Sequence, residues 1–180
     1  MMYKNEFKTA MELTLRLNLS LPSIEFQNLS VLTEENWAKI NKIFDEYFAG
    51  LHVMDIATQC IPVHLEIMSI FHEHNIPCIF TLGYVFHNGK NRHFMEESKL
   101  KEISESGVNG TTVNIHAWLT LPSMEVIDLT YLTTFSYATN RVDRLGELVI
   151  QHGDDISEIT YHPLLVGEDW LYKSGILVSF

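Results

Sequence analysis

A chain of 180 residues, 46% hydrophobic and 19% charged, has the size and composition of one globular domain able to bury its own core. Its formal net charge of -11, with only 12 Lys and Arg, argues against a nucleic-acid or anionic-membrane partner, since both draw on clustered basic residues. Cys60 and Cys78 make no disulfide framework and read as free thiols of a reducing compartment. The N-terminus carries Lys4, Glu6 and Lys8 with no continuous apolar stretch, and no run approaches the ~18 apolar residues of a membrane span. A cytoplasmic location follows as the expectation, with export by a route that uses no cleaved signal left open.

Met11, Leu13, Leu15, Leu17, Leu19 and Leu21 alternate with polar residues, the period of a strand with one buried face, closed by Pro22. From Thr33, a capping residue, the period changes: Trp37, Ile40, Ile43, Phe44, Tyr47, Phe48 and Leu51 form the stripe of an amphipathic helix ending near Gly50. A second helix is expected from Cys60 to His74, with Val63, Ile67, Met68, Ile70 and Phe71 apolar and Ile76-Pro77 beyond its end. Pro62 is tolerated only in a first turn, which sets Cys60 at the helix start, where unpaired amides and the helix dipole favour a thiolate.

Residues 78–86 are almost continuously apolar, as in a strand covered on both faces. The polar stretch 87–112, with a short helix expected around Met95 to Ile103, reads as a flap that selects substrate. Val113 to Thr120 and Met124 to Thr130 read as two strands joined across Leu121-Pro122-Ser123, and 176–180 as a final strand. If 121–123 is a three-residue hairpin loop, His116 lies directly opposite Asp128, within reach of a carboxylate–imidazole hydrogen bond. Asp128 would then orient His116, and His116 would hold the proton of Cys60. The Cys60 backbone amide is one oxyanion donor; Gln59 and Trp37, with Asn36 behind them, are the candidates for a second.

Taken in order, Cys60 at a helix start, Ile76-Pro77, Gly83-Tyr84-Val85, His116-Ala117-Trp118 and Ile127-Asp128-Leu129-Thr130 resemble the transglutaminase-like superfamily of papain-like cysteine enzymes. The resemblance covers roughly residues 56 to 133 and is closest to small bacterial members. It implies an α+β fold, with the helix that bears the nucleophile packed on an antiparallel sheet, as a single domain over 1–180 with its core over about 33–133. It also implies a Cys-His-Asp site, free of cofactors, whose acyl-enzyme is resolved by water or by an amine: Gln deamidation, transamidation or amide hydrolysis on a protein or peptide substrate. A departure is that Gln59 precedes the cysteine and Ile61-Pro62 follow it, where members often carry Gly before and an acidic residue after.

The alternatives are a peptidase or small-molecule acyltransferase on the same fold, and a catalytically silent protein-binding domain. Trp118 reads as cleft wall or core, and Cys78 as a core thiol. His64, His72 and His74 follow Cys60 on one helix, but 72 and 74 diverge too far for one metal ion, so they are expected to be solvated or capping. Asp143, Glu147, Asp154, Asp155 and Glu158 read as an exposed acidic surface.

Overall fold

The computed structural model describes residues 2–110 and 113–178, the side chain of Val142 excepted. Its helices are α1 (Met2–Arg16), α2 (Glu34–Phe48), α3 (Val53–Ile56), α4 (Cys60–Glu73), α5 (Glu97–Ser106), α6 (Tyr131–Ala138) and α7 (Asp169–Lys173), with a 3-10 turn at Val142–Arg144. The strands are β1 (Ile79–His87), β2 (Lys90–Arg92), β3 (His116–Thr120), β4 (Glu125–Asp128), β5 (Val149–His152) and β6 (Ile159–Val166). The class is α+β, and the strand pairs described below are antiparallel. The chain divides into two compact units, one of Met1–Ser23, Thr81–His116 and Gly153–Phe180, the other of Ile24–Phe80 and Ala117–His152.

In the first unit the expected strand over residues 11–21 is overturned: the segment up to Arg16 belongs to helix α1. The alternation of Leu13, Leu15 and Leu17 is local, whereas Tyr3, Phe7, Ala10, Leu13, Thr14 and Leu17 keep a helical period through the whole segment and are the residues buried. Leu15, which the strand reading would bury, is 57% exposed. Helix α1 lies on β6: the Val166 amide donates to Thr14 Oγ1 at 3.0 Å, and His162 Nδ1 sits 2.8 Å from Glu6 Oε2. Asp154 accepts from the Tyr3 amide at 2.7 Å, a carboxylate at a helix N-terminus.

β1 turns into β2 through Asn88 and Gly89, both at positive φ (53° and 73°), the two-residue hairpin turn that Asn-Gly favours. β6 pairs with the other edge of β1, and a bulge at Leu82/Gly83 faces Pro163, which has no amide to give the ladder. The segment expected as a flap is anchored where it is described: Leu100 and Ile103 of α5 are buried, and the Trp170 indole donates to the Leu100 carbonyl at 3.1 Å. Residues 111 and 112 of that segment lie outside the described residues. The final strand expected over 176–180 is not formed through residue 178, where bends follow α7, and 179 and 180 lie outside the described residues.

In the second unit α2 begins as expected, with Thr33 Oγ1 accepting from the Asn36 amide, and buries Ile40, Ile43 and Phe44. α4 buries Val63, His64, Ile67 and Phe71, and the rings of Phe44 and Phe71 lie 5.9 Å apart. β4 pairs with β3 on one side and β5 on the other. The β3–β4 register differs from the expected one by two residues: Leu119 faces Ile127 and Thr120 faces Val126, which sets Trp118, not His116, across from Asp128. Pro122 is the reason. The turn closes from the Met124 amide to the Leu121 carbonyl at 2.8 Å, and the Leu121 amide donates to Glu125 O at 2.9 Å, so the loop is 122–124. Proline then occupies the first central position, which its fixed φ suits; a 121–123 loop would move it to the second, where it is disfavoured. Met124 completes the loop at φ 75°, the left-handed residue that three-residue hairpins use.

The acidic residues Asp143, Glu147, Asp154, Asp155 and Glu158 are all exposed, and no helix among the described residues is long and apolar enough to cross a membrane. The helical assignment of the N-terminus separates two substitutions that a strand would make equivalent. Leu13→Ala is expected to cost about 2–4 kcal/mol in urea unfolding, and Leu15→Ala no more than about 0.5 kcal/mol. Equal losses at the two positions would return this segment to a strand.

Candidate active site

α4 starts where its sequence requires. Gln59 is the N-cap residue, Cys60 is the first helical residue, and Pro62 falls in the first turn, where its missing amide costs no helical bond. The Val63 amide returns to the Gln59 carbonyl at 3.0 Å, which leaves Cys60 and Ile61 to contribute the first-turn amides. Cys60 is half-buried. Two residues earlier Thr58 stands at φ 66°, strained for a β-branched residue, and its amide donates to Thr134 Oγ1 of α6 at 2.9 Å.

His64 lies one turn after Cys60 on the same face of α4 and is wholly buried, which corrects the expectation of a solvated or capping residue. Its Nδ1 is 2.7 Å from the Cys60 carbonyl oxygen, and its Nε2 accepts from the Leu129 amide at 3.0 Å. Because a backbone N–H must donate to Nε2, the ring proton belongs on Nδ1, where it is donated to Cys60 O. Both ring nitrogens are thereby engaged with backbone, which is what lets an imidazole be buried. The signal was present in the sequence as a histidine in the apolar stripe, four residues from the cysteine. His72, in contrast, is exposed near the end of the helix, with Nε2 3.2 Å from the Cys78 carbonyl, and His74 is the exposed C-cap residue.

Asp128 ends β4 and is buried. Its Oδ1 accepts from the Thr130 amide at 2.9 Å, the Thr130 hydroxyl at 3.2 Å and the Tyr131 amide at 3.0 Å, so the carboxylate closes the N-terminus of α6. The same oxygen is 3.6 Å from His64 Nε2. Cys60, His64 and Asp128 thus form one connected cluster in the second unit, tied through the residue that follows Asp128. His116 is the last residue of its segment in the first unit, buried, with its ring centroid 5.6 Å from that of His93 and the planes tilted by 31°.

The candidate oxyanion donors are less connected. Gln59 is exposed at the helix N-cap, Trp37 on α2 is 38% exposed, and the Asn36 carboxamide donates to the Val31 carbonyl at 2.9 Å. Trp118 is entirely buried and belongs to the core. Cys78 is buried as well, and burial pushes its thiol up to about 12. Among the described residues no group of three His, Cys, Asp or Glu is placed to hold a metal ion. Compared with known proteins, the chain matches no family model, no curated protein and no solved structure.

Two outcomes follow from this chemistry. A thiol in an unfolded chain ionises near about pH 8.5, while folded Cys78 keeps its proton, so the stability tied to that proton is complete below that value and declines as pH rises above it. Urea midpoints measured from about pH 8 to 10 are expected to fall, and to fall less steeply in Cys78→Ala. At Asp128, removing the carboxylate strands two buried amides. Asp128→Ala is expected to cost about 2–4 kcal/mol, whereas Asp128→Asn keeps an acceptor for both amides and is expected to cost about half as much or less.

Proposed function

We propose that this chain is a cysteine-dependent acyl-transfer enzyme of transglutaminase-like, papain-like type that acts on a carboxamide, with a protein or peptide Gln side chain as the leading substrate class. The observation that carries this reading is the placing of Cys60: half-exposed on the first turn of a helix, next to a strained Thr58, and linked through His64 to the strand end that holds Asp128.

The roles follow from the chemistry of each group. Cys60 is the nucleophile, set on the first turn of α4. His116 is the base that takes the thiol proton and returns it to the leaving nitrogen. Asp128 is assigned the orienting of His116, the role that the Cys-His-Asp pattern gives its carboxylate. The thiolate adds to the carboxamide carbon, and the tetrahedral oxyanion is met by the Cys60 amide. Collapse breaks the C–N bond, releases ammonia carrying the proton from His116, and leaves a thioester on Cys60. Water then cleaves the thioester to a carboxylate, or an amine cleaves it to a new amide, and the thiol is regenerated.

The test begins with a Gln-containing peptide library and the purified protein. Ammonia release with a gain of about one mass unit per modified Gln is the expected result, abolished by Cys60→Ala and reduced at least about a hundredfold by His116→Ala and by Asp128→Asn. Alkylation by iodoacetamide at about pH 6 should mark Cys60 rapidly in wild type and slowly in His116→Ala, with Cys78 unlabelled in both. Peptide-bond cleavage in the same assay would assign a peptidase, and turnover only with a thioester donor an acyltransferase. Slow Cys60 labelling indifferent to His116 would sink the enzyme reading and leave a binding domain.

A further inference from the structure

A histidine one turn after a candidate nucleophile invites the idea that it is the base, and its surroundings argue otherwise. His64 has no exposed surface, its Nδ1 faces the Cys60 carbonyl oxygen at 2.7 Å, and its Nε2 takes the Leu129 N–H at 3.0 Å. A ring whose two nitrogens both bond to backbone has no site from which to carry a proton to a substrate. What it does have is a fixed length between two particular backbone positions: the carbonyl of the nucleophile residue, and the amide next to Asp128.

That link is unusual in its placement. Within α4 the Cys60 carbonyl already belongs to the first helical turn, and an added donor from residue 64 fixes the orientation of that peptide plane. On the far side Leu129 lies between Asp128 and Thr130, and Thr130 and Tyr131 both give their amides to Asp128 Oδ1. The strand end is therefore held at two successive points, by His64 at Leu129 and by the carboxylate itself at residues 130 and 131. The imidazole has no exposed surface, so bulk water does not compete for either bond.

We propose that His64 is a positioning residue for the acyl-transfer site: through its Nδ1–H tautomer it locks the first turn of α4, and with it the Cys60 thiol, to the strand end that presents Asp128. The inference rests on the reading of Cys60 and Asp128 as members of the catalytic site, and it adds a residue that the Cys-His-Asp pattern does not contain. A misplacement of about 1 Å at such a site costs on the order of a hundredfold in rate, so a link of this kind affects reactivity as well as stability.

Two substitutions divide the link. His64→Asn retains a donor near the Nδ1 position but does not reach Leu129, while His64→Gln retains an acceptor near the Nε2 position but loses the Cys60 bond. In variants that melt cooperatively, both are expected to label Cys60 with iodoacetamide roughly tenfold or more slowly than wild type at about pH 6. In wild type, long-range proton–nitrogen NMR of the ring is expected to show the proton on Nδ1.

Wild-type labelling rates in either folded variant, with wild type itself still dependent on His116, would overturn the positioning role and leave the proposed function standing. Failure of both variants to fold would assign His64 a structural role and likewise overturn it, as would a ring proton on Nε2. Wild-type labelling that is slow and indifferent to His116 marks the failure of the proposed function instead, and removes the site this residue would position.

Discussion

The buried carboxylate of Asp128 is the constraint around which the second unit is arranged. An ionised group taken out of water must recover its lost hydration, and Oδ1 does so with the Thr130 amide, the Thr130 hydroxyl and the Tyr131 amide. Those donors are available because a helix begins there, and the helix begins cleanly because the carboxylate answers its first amides. Strand end and helix start are therefore one structure. His64 extends the same accounting by one residue: the Leu129 amide, buried between them, finds its acceptor in an imidazole, and the other nitrogen of that ring turns to the Cys60 carbonyl.

A second buried carboxylate, at the opposite end of β4, is handled with hydroxyls. Glu125 is bonded by Ser30 at 2.5 Å and by Ser123, and Ser123 in turn accepts from the Val31 amide at 2.8 Å. The loop before α2 is thus held to the β3–β4 turn through polar contacts, and the turn is set by Pro122. In this unit the polar residues of β4 sit at its two ends, where turn and helix backbone supply partners, and the residues between, Val126 and Ile127, are wholly buried and apolar.

Much of this was legible in residue order. Thr33 as a cap, Cys60 and Pro62 at the start of α4, the apolar run of β1 and the existence of the β3–β4 hairpin all rest on local rules: a capping oxygen, a proline tolerated only in a first turn, a period of two. The errors are also physical. At the N-terminus two periods coexist in Leu13, Leu15 and Leu17, and only the burial of Tyr3 and Phe7 decides for the helix. In the hairpin one residue of loop placement moved the register by two and changed the partner of Asp128 from His116 to Trp118, although proline's preference for the first central position was there to be read. β6 alternates buried and half-buried residues from Ile159 to Leu165, with Pro163 in one of the buried positions.

By itself the sequence determined the chemistry on offer: a cysteine at a helix start, a histidine and an aspartate at strand positions, two free thiols and an acidic surface, since these depend on residue type and on contacts a few positions apart. Only the tertiary structure decided that His64 is buried rather than solvated, that Asp128 Oδ1 serves a helix and that the first segment is helical. Those outcomes turn on which surfaces meet, and so on burial and on partners that lie many residues away. His64 and Leu129 are 65 positions apart, and no local rule relates an imidazole to an amide at that separation.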